Sequence, residues 1–262
     1  MKRIISVLAV LVMALGLMSG CAKDDTAKTD SEYVKDKGTL VVGITNFAPM
    51  DYKDENGQWI GFDADMAKAF AESLGVKAEF KVIDWNYKIN ELSDKGIDCV
   101  WNGMTINDEV LAGMEVSNAY CKNAQVVVLK SADAEKYNTL ESVKELSFVV
   151  EAGSAGKKTA EAQGFSFREA ETQADTLLEV SSGTSQASII DLLMAGAMIG
   201  EGTDYDDLTY TVSLTEEEYG VGFRKGSDLA AKLNDFFKSS YADGSMKELA
   251  NTYGVQESLI AQ

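Results

Sequence analysis

The chain has 262 residues, a formal charge of −18, three cysteines and no histidine. So acidic a surface repels phosphate backbones and anionic headgroups, which excludes nucleic acid and bare membrane surfaces as partners. With no imidazole and no closely spaced thiols, neither a metal centre nor any other cofactor is expected.

Lys2 and Arg3 precede an apolar run from Ile4 to Met18, which ends in Ser19-Gly20-Cys21. The run is short for a bilayer span, and its charged start and small-residue end predict a secretory signal over residues 1–20. Cleavage there would leave Cys21 as a lipid-modified N-terminus, although Met18 stands where such signals usually carry leucine. Loss of Lys2 and Arg3 takes the formal charge to −20. The polar residues 21–37 read as a lipidated tether. The rest is expected outside the cytoplasm, held to the cell membrane by the lipid alone, with about 230 residues, enough for one large domain or two lobes.

Thr39 to Ile44 is a short β-branched run of the kind found in buried parallel strands. Asp54 to Gly57 reads as a hairpin tip, Trp59 to Phe62 as the returning strand, and Asp65 to Leu74 as a helix stopped by Gly75. A strand over 76–83, a helix over 86–94 and a strand over 97–101 follow, the alternation of a parallel α/β sheet. The apolar strand 124–129 precedes a second round: a strand over 146–151, helices over 156–163 and 174–182, a strand over 187–190 and the apolar stretch 192–199. Late strands at Val212 and over 219–223, then helices over 229–241 and 246–253, complete the chain.

Four blocks carry a more specific message. They are Gly61-Phe62-Asp63-Ala64-Asp65-Met66, the stretch from Trp85 through Gly96 to Thr105, Glu151-Ala152-Gly153-Ser154-Ala155-Gly156, and Glu218 to Gly226. In that order they resemble the polar amino-acid family (family 3) of extracytoplasmic solute-binding proteins of ABC importers, over nearly all of residues 38–253. Ala64 departs from the larger aliphatic usual there. The resemblance implies a two-lobed α/β fold of the periplasmic-binding-protein type (type II). One lobe would be built from 38–127 plus 220–262 and the other from 128–219, joined by hinge strands near Val126–Leu129 and Glu217–Val221. It also implies a monomer that closes on a small-molecule ligand, hands it to a permease and ATPase, and performs no chemistry on it.

By the same resemblance, Phe47 and Trp85 would place rings against the ligand, and Asn102, Gly103, Met104 and Thr105 would meet a ligand carboxylate. Trp101, within a strand, fits either core or site floor. Ser154, Ala155 and Gly156 open a helix whose free N–H groups suit an anion, and Asp191 matches the acid that pairs with a ligand ammonium. One position breaks the pattern: the arginine expected five residues after the site threonine is Val110, and neither Arg168 nor Arg224 is an evident substitute. Two ligand classes therefore stay open, an amino acid with its carboxylate on Thr105 and backbone N–H groups, and an amine without a carboxylate. A ligand sensor and a dehydratase-type enzyme are the alternative functions. Cys99 and Cys121 fit either a disulfide or two buried thiols.

Overall fold

A computed structural model describes residues 28–262, so the expected signal segment and Cys21 lie outside the described residues. The described chain opens with α1 (Asp30–Lys37), where a tether was expected. Thr29 and Glu32 form a reciprocal capping box, left-handed Gly38 ends the helix, and Val34 is fully buried. Arg224 grips Asp30 with its Nε at 3.0 Å, and Asp228 accepts from the Ser31 backbone at 2.9 Å. Those two contacts dock residues 30–37 on the first lobe, so any tether ends before Thr29.

In the first lobe β1 (Thr39–Ile44) is followed by the hairpin β2 (Tyr52–Lys53) and β3 (Trp59–Ile60), then by α2 (Phe62–Ser73) and β4 (Lys77–Val82). Helix α2 starts three residues before the expected Asp65. Gly61 at φ 125°, with the Pro49 and Met50 carbonyls against its Cα, turns the chain straight from β3 into the helix. A single 3₁₀ turn over Trp85–Tyr87 leads to α3 (Lys88–Ser93), β5 (Cys99–Thr105), α4 (Asp108–Gly113), β6 (Glu115–Val116) and β7 (Cys121–Asn123).

The second lobe comprises β8 (Gln125–Lys130), α5 (Leu140–Val143), β9 (Ser147–Glu151), α6 (Ala155–Gln163), β10 (Ser166–Ala170), α7 (Gln173–Ser181), β11 (Ala187–Asp191), α8 (Leu192–Met198) and β12 (Leu208–Ser213). The chain then returns through β13 (Glu217–Phe223) to α9 (Leu229–Asp243) and α10 (Ser245–Thr252) in the first lobe. Strand β10 has no counterpart in the sequence reading, because its polar run Ser166-Phe167-Arg168-Glu169-Ala170 sits at the sheet edge, where little is buried.

The first sheet has the order β4-β1-β5-β13-β6, with β7 also on β13, and the second β10-β9-β11-β8-β12. The chain crosses between them twice, at Ala124 and over residues 214–216, where Leu214 N donates to Gln125 O at 2.8 Å. Both crossings precede the expected hinges by a few residues. A strand belongs to the sheet it pairs with: β8 pairs in the second sheet from Gln125, and β13 in the first from Glu217.

Trp101 lies at the centre of the first core, fully buried among Phe70, Tyr120 and Phe237 at ring separations of 5.7–6.5 Å. Cys99 and Cys121 are both buried free thiols. Cys99 pairs with Phe223 on one flank of β13 and Cys121 with Tyr219 on the other. Two strand spacings and a four-residue offset along β13 separate them, beyond the reach of a disulfide. Among the described residues no helix is long and apolar enough to cross a membrane.

Candidate functional site

The C-terminal ends of β1, β5, β9 and β11 converge on a narrow cleft between the lobes, the place where open α/β sheets present their loops. On the first-lobe side, Asn102 Oδ1 accepts from Thr45 N and its Nδ2 donates to Asp51 at 3.1 Å, which locks the loop after β1 to the end of β5. Gly103 follows at φ 56° and donates its N–H to Asp63 at 2.7 Å. Phe47 lies against Gly103 so closely that a Cβ there would strike its ring. The other edge of Phe47 meets Tyr219 at 6.3 Å between ring centres. Burial raises the carboxyls of Asp51 and Asp63, the latter to about 7.

Trp85 sits in the 3₁₀ turn after β4, which Asp84 caps. Lys88, 6% exposed, lies over its ring with Nζ 5.0 Å from the centre. That Nζ donates to Trp85 O at 3.1 Å and, across the cleft, to Gly153 O at 3.0 Å. Burial lowers its pKa to about 8.

The second-lobe wall begins with Glu151 at the end of β9. Gly153 at φ 69° packs on Asn86 of the other lobe, where a Cβ would come within 2.7 Å of the Asn86 Cα. Ser154 caps α6 through Lys157 N at 3.1 Å. Asp191 ends β11 almost fully buried. Its Oδ1 accepts from Tyr219 and Asn123 at 2.6 Å, its Oδ2 from Gln173 at 2.5 Å. Burial, then the nearby charge of Glu217, raises its pKa to about 7. Glu217 itself is held by Thr105 at 3.0 Å, Asn123 at 2.6 Å and Gln125 at 2.8 Å. Burial, then Asp191, raises Glu151 to about 8. At the rim, Lys158 of α6 pairs with Glu109 of α4, a second clasp between the lobes.

Phe47, Trp85, Asn102, Gly103, Met104, Thr105, Ser154, Ala155 and Asp191 all line this cleft. Two expected residues do not. Trp101 points to the core behind β5, and Gly156 serves packing, since a Cβ there would come within 2.6 Å of Ile189 O and push α6 off β11. The sequence reading missed Lys88, Glu151 and Gln173. Glu151 carried a readable signal, an acid at the end of a buried apolar strand. Lys88 offered no such signal, because a lysine in an amphipathic helix is ordinarily solvated. Val110, in place of the expected arginine, is buried with Ile83, Trp85, Leu92 and Met104. Arg224 serves Asp30 and Asp98, and Arg168 pairs with Glu179, so neither reaches the cleft.

Two α/β lobes, joined by two crossings and enclosing a polar cleft, define a two-lobed binding protein. A model of the bacterial extracellular solute-binding proteins, family 3, matches residues 40–256, and the chain belongs to that family. It is 26% identical over 247 residues to the L-cystine-binding protein TcyJ of Escherichia coli strain K12, covering 92% of each chain. It is 27% identical over 219 residues to the arginine-binding extracellular protein ArtP of Bacillus subtilis strain 168, covering 81% of this chain and 85% of that one. Among solved structures, a histidine-bound substrate-binding protein of an ABC uptake transporter from Streptococcus pneumoniae superposes with a TM-score of 0.77. The two are 28% identical, over 87% of this chain and 97% of that one.

Proposed function

We propose that the protein is the lipid-anchored, extracytoplasmic solute-binding subunit of an ABC importer, and that it captures an amino acid or related small cationic solute by lobe closure without transforming it. The observation that carries this reading is Asp191: a buried carboxylate on the cleft wall, fixed by Tyr219 and Asn123 of one lobe and Gln173 of the other. An ammonium entering the cleft meets a pre-oriented acceptor there, with the faces of Phe47 and Trp85 beside it.

Without an arginine fork, and with the Thr105 hydroxyl and the Ser154 N–H already donated to Glu217 and Glu151 O, a ligand carboxylate falls to the Ala155 N–H that opens α6 and to Lys88. A ligand touching both lobes stabilises only the closed form, so its binding free energy becomes the closure that permease and ATPase subunits recognise. The named relatives bind amino acids, which supports the same class here.

A thermal-shift screen against L-amino acids, diamines and quaternary amines tests it. At a thousand times Kd a ligand specific for the folded form adds about 4 kcal/mol of stability, a shift of several degrees. A protein unmoved by every amino acid and amine would refute the proposal. Anchoring is tested separately: Cys21→Ser is expected to move the protein from the membrane fraction to the medium.

A further inference from the structure

Glu151 is the cleft group with the least complete surroundings. It is 2% exposed, and its Oε1 has no hydrogen-bond partner among the described residues. No cation contacts it: the Lys88 charge favours the Glu151 carboxylate from a distance but Nζ is directed to two backbone carbonyls, and Lys158 is held by Glu109. Asp191, by contrast, has both oxygens engaged. A buried acceptor left without a donor is destabilising, and a bound ligand that supplies one removes that cost.

The sheet places the two acids side by side. β9 and β11 are adjacent and parallel, with Ser188 level with Val149. Continued to the strand ends, that register sets Ile190 level with Glu151 and Asp191 one residue beyond. The two acids thus end neighbouring strands one residue out of register, and both line the cleft. One ammonium satisfies one of them and leaves the other buried and unanswered.

Resting on the reading that Asp191 receives a ligand ammonium, we infer that Glu151 receives a second cationic group of the same solute, so that the cleft selects molecules with two cationic groups, as in a basic amino acid.

The test is calorimetric titration of the protein and its Glu151→Gln and Glu151→Asp variants with L-arginine and L-citrulline, which differ in a charged against a neutral side-chain end of nearly the same shape. Wild type is expected to prefer arginine at least tenfold, Glu151→Gln to bring that ratio near one, and Glu151→Asp to keep part of it. An unliganded melting temperature for Glu151→Gln at or above wild type shows that the variant folds. Equal wild-type affinity for the two ligands, or a ratio unchanged in Glu151→Gln, overturns the assignment. If citrulline binds as well as arginine and Asp191→Asn abolishes both, the Asp191 reading stands and Glu151 alone fails; if wild type binds neither, the Glu151 assignment fails, and the Asp191 reading fails with it only if no other amino acid or amine binds.

Discussion

The hydroxyl of Tyr219, on β13 of the first lobe, donates to Oδ1 of Asp191, on β11 of the second, at 2.6 Å, and both side chains are buried. The same tyrosine ring meets Phe47 edge-on, so one residue sets the position of an acid and of an aromatic wall from opposite lobes. Hydrogen bonds to the charged form favour it, and Tyr219 is one of the groups that hold the Asp191 carboxyl down against burial. Tyr219→Phe is therefore expected to raise the Asp191 pKa further. At neutral pH cation affinity should fall about tenfold, the equivalent of one charge-assisted hydrogen bond. Titration calorimetry at pH 7 and pH 8.5 checks this, because the deficit should shrink at the higher pH.

Lys88 ties Trp85 and Gly153 across the cleft and does so only while the lobes are closed. Lys88→Met keeps the apolar stem over Trp85 and removes the charged donor. The unliganded variant is expected to populate the open form more, with a larger radius of gyration by small-angle scattering and ligand affinity weakened about tenfold. An unchanged radius and affinity would show that the bond to Gly153 O contributes nothing to closure.

Gly103→Ala combines a left-handed backbone at φ 56° with a Cβ driven into Phe47. Left-handed backbone and overpacking each destabilise by about 1–3 kcal/mol. Denaturant unfolding is expected to show a combined loss of about 2–6 kcal/mol, and ligand affinity should fall with it, because Phe47 must move from its place beside Tyr219. Gly164→Ala, at φ 69° with open space around its Cβ, is the control for backbone strain without the clash.

Glu151 at about 8, and Asp63 and Asp191 at about 7, are acids raised by burial. In the unfolded chain such groups titrate near 4. Between about pH 4 and 8 the folded protein holds protons that the unfolded chain has released, so these groups make the ligand-free fold less stable as pH rises. The melting temperature of the unliganded protein is expected to fall from pH 5 to pH 7.5, and that of Glu151→Gln to fall less. Cation affinity should rise over the same range, with proton release on binding. A melting temperature that climbs through this window would contradict the burial-driven shifts.

The parts of this fold legible in the sequence are those whose residues are buried by pattern. Thr39–Ile44 announces β1 to the residue, and the apolar run after Ala124 announces β8 to within one. Helix α1 was illegible because only Ser31 and Val34 of its eight residues are buried, and its docking depends on Arg224 and Asp228, almost two hundred positions away. In the site, Gly103, Ser154 and Asp191 were expected from the family resemblance, and the structure places all three on the cleft. Trp85 and Trp101 look alike in one dimension. The sheet turns one to the cleft and the other to Phe70 and Phe237. Lys88 needed the second lobe, because its partner Gly153 is 65 residues on.

The measurement that bears most directly on the whole account is the affinity of Asp191→Asn against wild type, by titration calorimetry with L-arginine, L-lysine, L-histidine and L-glutamine. Asparagine keeps the shape and removes the charge, and loss of a buried charged partner weakens binding by about 2–5 kcal/mol. The account predicts a loss of at least about thirtyfold for every amino acid the wild type binds, with the melting temperature of the unliganded variant unchanged or raised. An affinity within threefold of wild type would place the ligand ammonium elsewhere and contradict the proposed site.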